Sequence, residues 1–226
     1  MTPEVKLGGD RVFTFSEAEH CYRDEHNLIV PSVTQCMKST GLINFDGINP
    51  AVLERKRQLG TLVHKVTELY DKGENLSDYE IPEPVWDYVH GYVNFRNDCS
   101  FVPVIVETRM LGEVHGMRFG MQPDRVGDIN GVPHIVELKT GAQFHPAWGV
   151  QLAGYGTGLY GPRPSLSRVV LQLGPKFPRG YKLHPCDDPA DYQMWLCCLA
   201  LTSWQNNNKM FVVEDVPERL ELETAA

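Results

Sequence analysis

The stretch PDRVGDINGVPHIVELKTG, Pro123 to Gly141, decides how this chain is read. Asn130-Gly131 is a strong hairpin signal, because both central residues of a type I′ turn need positive φ. A two-residue loop there sets Ile129 against Val132 and Asp124 against Glu137. Lys139 lies two residues beyond Glu137, so it projects from the same face. Like charges directly opposed on a sheet face destabilise it. Open water would offset that repulsion on an exposed face, and a divalent cation would do so on a buried one. Ile135, Val136 and Leu138 around the acid favour burial. Carboxylate oxygens suit Mg²⁺ or Mn²⁺. Lys139 beside them could orient or help deprotonate a water, or stabilise charge on a phosphate. Solvated strand charges remain the alternative at this point.

Upstream, Asn49-Pro50 opens the clearest helix, with an N-cap followed by proline at the first helical position. Val52, Leu53, Leu59, Leu62, Val63, Val66, Leu69 and Tyr70 recur at helical spacing, and Gly73 fits the C-terminal end. A second helix is expected from Pro84 to about Asp98. Before them, residues 11–34 read as short strands, and Ser32 caps a short helix that Gly41 ends. VPVIVETRML and HGMRFGMQPDRVGDI read as further strands on the way to VPHIVELKT. Residues 146–160 form a glycine-rich helix, 168–174 a strand with 180–185 as its partner, and 188–209 a final helix. The tail ERLELETAA is expected to fray. This order describes an α/β fold, a central mixed sheet flanked by helices.

The chain has 226 residues, 42% of them hydrophobic and 22% charged. That suits a single domain with a sizeable core. We divide it into N-terminal strands and a short helix (11–48), a helical region (49–100), a sheet and helix (101–185) and a C-terminal helix and tail (186–226). No window reaches the roughly 20 apolar residues of a membrane span, and the N-terminus lacks a signal peptide's apolar core. The expected setting is the cytoplasm. The six cysteines, Cys21, Cys36, Cys99, Cys186, Cys197 and Cys198, include no CxxC pair and read as reduced thiols. A net charge of −8 argues against general polyanion binding but allows a local basic groove. Arg55, Lys56, Arg57 and Lys65 form one basic group, and Arg163, Arg168, Lys176, Arg179 and Lys182 another.

Pro123-Asp124, followed by Glu137-Leu138-Lys139, resembles the signature of the PD-(D/E)XK nuclease superfamily. Gly60-Thr61-Leu62-Val63-His64 resembles the GxxxH motif of its RecB-type exonuclease branch. Gln151-Leu152-Ala153-Gly154-Tyr155 resembles that branch's QxxxY motif. HCYRDEHNLIVPSVTQ looks like the segment that opens many phage and bacterial members. The resemblance spans about residues 11–175. Each companion also has a physical reading. Gly60 and His64 share a helix face, with Glu68 one turn on, and an imidazole can be a metal ligand or simply a satisfied half-buried side chain. Gln151 and Tyr155 also share a face. Gln151 can hold a phosphate, a water or the lysine, and Tyr155 can contact the nucleic-acid backbone or pack.

The resemblance implies a restriction-endonuclease-like core and a Mg²⁺- or Mn²⁺-dependent deoxyribonuclease, foremost an exonuclease. It implies metal ligands at His64, Asp124, Glu137 and the Leu138 carbonyl, with Lys139 catalytic and Gln151 and Tyr155 accessory. Glu107 and Glu68 are candidates for a surrounding layer, and Arg55, Arg57, Lys65 and Arg125 for weaker DNA contacts. Work in recombination, repair or phage DNA processing follows by analogy, in a bacterial or phage-infected cell. So does a recombination or single-strand-annealing partner protein. Some relatives hold an iron–sulfur cluster on one N-terminal cysteine and a C-terminal triplet. Cys186, Cys197 and Cys198 lack that spacing, and no cluster is expected. Phe119-Gly120-Met121-Gln122 stands where many relatives have small residues. The rival readings are a structure-selective endonuclease on the same core, a non-catalytic DNA-binding or assembly subunit, and a metal-free hydrolase with paired carboxylates.

Overall fold

In the computed structural model, which describes residues 12–44, 47–161 and 166–208, the quoted stretch closes into a hairpin. Ile129 faces Val132 and Arg125 faces Val136. Asn130 and Gly131 have φ of 50° and 78°, as the type I′ turn demands. The tail ERLELETAA and Arg163 lie outside the described residues.

In chain order the elements are β1 (Thr14–Ser16), β2 (Cys21–Arg23), β3 (Ile29–Val30), α1 (Val33–Ser39), α2 (Pro50–Asp71), α3 (Glu83–Asp98), β4 (Val102–Val106), β5 (Met110–Val114), β6 (Met117–Met121), β7 (Arg125–Ile129), β8 (Val132–Lys139), α4 (Ala147–Tyr160), β9 (Ser167–Leu173), β10 (Tyr181–Pro185) and α5 (Ala190–Asn207), with a 3₁₀ turn at Leu76–Asp78. Local chemistry sets the start of the first two helices. The Asn49 side chain accepts from Ala51 N, and Pro50 opens α2. Ser32 and Gln35 form a reciprocal capping box at α1.

The hairpin lies within a five-stranded sheet of order β10-β9-β8-β7-β4. β8 and β9 run parallel, and the other neighbours are antiparallel. α4 makes the crossover between the parallel pair, as such a connection requires. Helices cover both faces. Val126, Ile135 and Val170 pack with α1, α4 and α5. Val136, Leu138, Val169 and Leu171 pack with α2 and α3. A strand buried on both faces reads as a continuous apolar run. Glu137 interrupts that run on the face toward α4.

Two long strands expected from the sequence are each divided. VPVIVETRML becomes β4 and β5, and HGMRFGMQPDRVGDI becomes β6 and β7. The breaks meet in space, because Glu107 N donates to Asp124 O at 3.0 Å. Glu107 has φ 45°, a left-handed conformation that costs a non-glycine residue about 1–2 kcal/mol. β5 and β6 form their own hairpin, and β1, β2 and β3 a small sheet. A bridge between Ser32 and Gly120 joins the two. The Tyr22 ring lies so close over Gly120 that any Cβ there would collide with it.

A buried ion pair fastens α2 to the sheet. Arg125 Nε donates to Asp71 Oδ2 at 2.5 Å, and both side chains are fully buried. Tyr92 Oη donates to the same oxygen at 2.6 Å, and Arg96 pairs with the other. Arg125 Nη2 reaches Thr67 Oγ1 at 3.1 Å, and Nη1 reaches Asp124 O at 2.6 Å and Glu107 Oε1 at 3.2 Å. Removing one partner of a buried pair strands the other's charge, at a cost of about 3–5 kcal/mol. Asp71→Ala is therefore expected to destabilise the fold by about that amount. The measurement is urea unfolding, which should show a lower midpoint at an unchanged slope.

Candidate metal centre

Three segments bring acids and a histidine to one end of the sheet. Asp124 precedes β7, Glu107 follows β4, and His64 projects from α2. Their ligand atoms all lie within 4.8 Å of one another. His64 Nδ1 is 3.0 Å from Glu107 Oε1 and 3.4 Å from Asp124 Oδ1, and Nε2 is 3.2 Å from the Leu138 carbonyl. Asp124 Oδ2 accepts from Leu138 N at 2.7 Å. Gln122 Nε2 donates to Glu107 Oε2 at 3.0 Å.

Both ring nitrogens of His64 thus face acceptors, an arrangement that only the imidazolium satisfies. Burial disfavours that charge. The carboxylates of Asp124, Glu107 and Glu137 outweigh it and push the pKa up to about 9. Burial, and then the neighbouring Glu137 charge, raises Asp124 well above the usual carboxylate value. Glu107 moves the other way: burial opposes its charge, but the His64 hydrogen bond holds its pKa down.

The second half of the site sits on β8 and α4. Lys139 Nζ donates to Glu137 Oε1 at 2.7 Å and to Gln151 Oε1 at 3.2 Å. Gln151 Nε2 donates to Glu137 Oε1 and to Tyr155 Oη, both at 2.8 Å. Burial would lower the Lys139 pKa, but the Glu137 carboxylate raises it further. Lys139 is therefore an ammonium, able to stabilise negative charge and not poised to take a proton. Burial, and then Glu137, raises Tyr155 well above its ordinary value, so the phenol keeps its proton. Glu137 Oε2 is buried and has no hydrogen-bond partner among the described residues.

That orphaned oxygen is the test of fit for a cation. A buried carboxylate oxygen without a donor is costly. It stands beside a set of carboxylates, an imidazole and a backbone carbonyl, and such hard donors suit Mg²⁺ or Mn²⁺. The residues present fit such an ion. His64, Glu107 and Asp124 form the tightest group, with the Leu138 carbonyl and Glu137 adjoining.

Other residues expected at the site lie elsewhere. Arg125, expected to touch substrate, is fully buried. It is the first residue of β7, so alternation turns it away from Asp124 toward α2, where Asp71 holds it. Glu68 does not join the cluster. Its carboxylate pairs with Lys72 at 2.5 Å and Lys65 at 3.5 Å. Arg57 pairs with Glu54 at 2.9 Å, and Arg55 is exposed on α2. Glu107, expected only in an outer layer, belongs to the tightest ligand group, and Gln122 anchors it. Their convergence depends on the divided strands; Pro123, which cannot donate to a ladder, marks the break between β6 and β7, and no comparable residue marks the one after β4.

A cleft of about 230 Å³ opens onto this cluster, with Phe15, His20, Tyr22 and Thr34 on its far wall. The N-terminal strands therefore share this cleft with the acids.

No protein-family model and no curated protein sequence matches the chain. A crystal structure from Eubacterium rectale, described as "Putative exonuclease", superimposes with a TM-score of 0.52 at 10% identity, covering 82% of this chain and 84% of that one. The two share a fold, consistent with the restriction-endonuclease-like core expected from the motifs. A second solved structure, SSO0001, gives a TM-score of only 0.34 at 12% identity, covering 80% of this chain and 84% of that one. Among the described residues, no helix is long and apolar enough to cross a membrane.

His64 must lose its proton to bind a metal. With its pKa near 9, the ring is charged at neutral pH. Binding of Mn²⁺ at neutral pH is therefore expected to release the His64 proton, together with any proton that the raised pKa of Asp124 retains there. Affinity should climb as pH rises toward about 9. Calorimetry in buffers of different ionisation enthalpy measures the release. A pH-independent affinity, or a release unaffected by His64→Gln, would contradict the assignment.

Proposed function

We propose that this protein is a divalent-metal-dependent DNA nuclease of the PD-(D/E)XK type, with exonuclease action on linear DNA. The observation that carries the reading is the meeting of His64, Glu107 and Asp124 within 4.8 Å, beside a Glu137 carboxylate bonded to Lys139 and Gln151. The three sequence motifs thereby become one constellation, and the shared fold with the E. rectale protein agrees with it.

The cation would be held by His64, Glu107 and Asp124, with Glu137 Oε2 and the Leu138 carbonyl at its margin. When bound, Mg²⁺ or Mn²⁺ would supply an acidified water and neutralise phosphate charge. The chain's own residues divide the remaining work. Lys139, kept protonated, presents its ammonium to a phosphate oxygen or to the attacking oxygen as charge develops there. Gln151 fixes Lys139 and Glu137 through one amide, so neither needs to reorganise during the reaction. Tyr155 holds the far side of that amide and keeps its proton. The buried setting strengthens each of these interactions relative to water.

On this reading the products carry 5′-phosphates, and the cellular role is recombination, repair or phage DNA processing in the cytoplasm. A recombination or single-strand-annealing protein is the corresponding partner. An endonuclease on the same core would differ in cutting closed circles.

Labelled linear and closed circular DNA tests the proposal. Linear DNA should be cleaved with Mg²⁺ or Mn²⁺ and left intact with chelator. Glu137→Ala and Lys139→Ala should each lower kcat by about 10²–10³-fold, as expected for losing one charge-stabilising group. Cleavage that survives chelator, or full activity in both variants, would overturn it. Cutting of closed circles would favour the endonuclease.

A further inference from the structure

Beyond Lys139, the chain leaves β8 through an exposed loop and enters α4 at Ala147. Phe144 in that loop is 40% exposed. It stacks on His184 of β10, with ring centroids 4.9 Å apart and planes 27° from parallel. Trp148 meets it edge-on at 5.5 Å, and Lys139 Nζ lies 5.8 Å from the Trp148 ring. The aromatic surface is therefore continuous with the proposed catalytic lysine.

The arrangement is held from beneath. Gln172 of β9, only 2% exposed, sits in register with Lys139 on the neighbouring strand. Its Nε2 donates to Gly141 O at 2.6 Å, and its Oε1 accepts from His184 Nε2 at 2.9 Å. One buried amide thus fixes both the loop and the imidazole. Lys176 donates to Ala142 O, which ties the loop a second time. Burial, followed by the charges of Lys182 and Lys176, lowers the His184 pKa, so a neutral ring stacks on Phe144. Lys182 stands two residues before His184 on β10, so both project from one face; Lys176 reaches the loop at Ala142, and both lysines are exposed.

We infer that Phe144, seated on His184 and edged by Trp148, is a stacking platform for a base of single-stranded DNA next to the proposed catalytic centre, with Lys176 and Lys182 meeting the neighbouring phosphates. The inference rests on the nuclease reading for the identity of the strand. The chemistry of the patch supports it independently. A flat aromatic face accepts any base, and flanking ammonium groups complement the backbone on either side. A purely apolar partner would offer those ammonium groups no counter-charge. The restrained loop reduces the entropy lost when a base stacks.

Binding of the full chain to a single-stranded oligothymidylate of about a dozen nucleotides, compared with an abasic deoxyribose-phosphate of equal length, tests the platform. Chelator prevents cleavage, and anisotropy reads the dissociation constants. Wild type should prefer the base-bearing strand by about tenfold, within the range for one stacked base. Phe144→Ala should remove that preference, and Phe144→Tyr should restore it. Lys182→Ala, which leaves the Lys176 tie to the loop intact, should weaken both probes alike and reduce the salt slope by roughly 0.7. An unchanged preference in Phe144→Ala, or no preference in wild type, would overturn the platform even if DNA is cleaved. A preference lost in Phe144→Ala without any metal-dependent cleavage by wild type would uphold the platform and sink the nuclease reading.

Discussion

Arg125 is a fully buried guanidinium between α2 and the central sheet, and the candidate site depends on where it sits. Its donors reach Asp71 and Thr67 on α2, and Glu107 and the Asp124 carbonyl at the sheet's end. A charge so deeply placed is tolerated only when its donors are satisfied. Satisfying them brings the helix that carries His64 against the break that carries Glu107 and Asp124. Fold and site thus share one network, and a change in α2 propagates to the acids without touching them.

Around that network the charges are nearly matched. Glu107, Asp124 and Glu137 face Arg125, protonated His64 and protonated Lys139. The match is incomplete in two places, the raised pKa of Asp124 and the orphaned Oε2 of Glu137. The positive φ of Glu107 adds backbone strain at the same point. Strain and unpaired polar atoms persist where surrounding structure enforces them, and they collect at functional sites. A divalent cation among these groups would displace the His64 proton and give the carboxylates a shared partner. The aromatic loop beyond Lys139 extends this surface with groups suited to a strand of nucleic acid.

The residues legible in the sequence are those whose position follows from short-range rules. Asn130-Gly131 specified the turn, the turn specified the register, and alternation put Glu137 and Lys139 on one face. The four-residue spacing of Gln151 and Tyr155 put them on one side of α4, where one hydrogen bond joins them. Arg125, expected among the weaker DNA contacts, is instead fully buried. Alternation along β7 sends it to the opposite side from Asp124, and the partner waiting there, Asp71, lies 54 residues away. Glu68 shares a helix face with His64, but its carboxylate pairs with Lys65 and Lys72. The sequence reads the strand that carries Glu107 as continuous, whereas β4 ends at Val106 and Glu107 stands in the break.

The sequence by itself determined the central hairpin, the helices, two of them with side-chain caps at Ser32 and Asn49, the mixed α/β architecture and the residues able to bind a cation. Each of these follows from periodicity, turn chemistry or side-chain chemistry within a few residues. Tertiary structure alone decided which acids meet. Glu107 and Asp124 converge because two strands break at the same place, and His64 joins them because a buried ion pair and the apolar packing of Val63 and Val66 hold α2 there. Those are interactions between residues far apart in the chain, set by burial and charge pairing, and no local pattern encodes them.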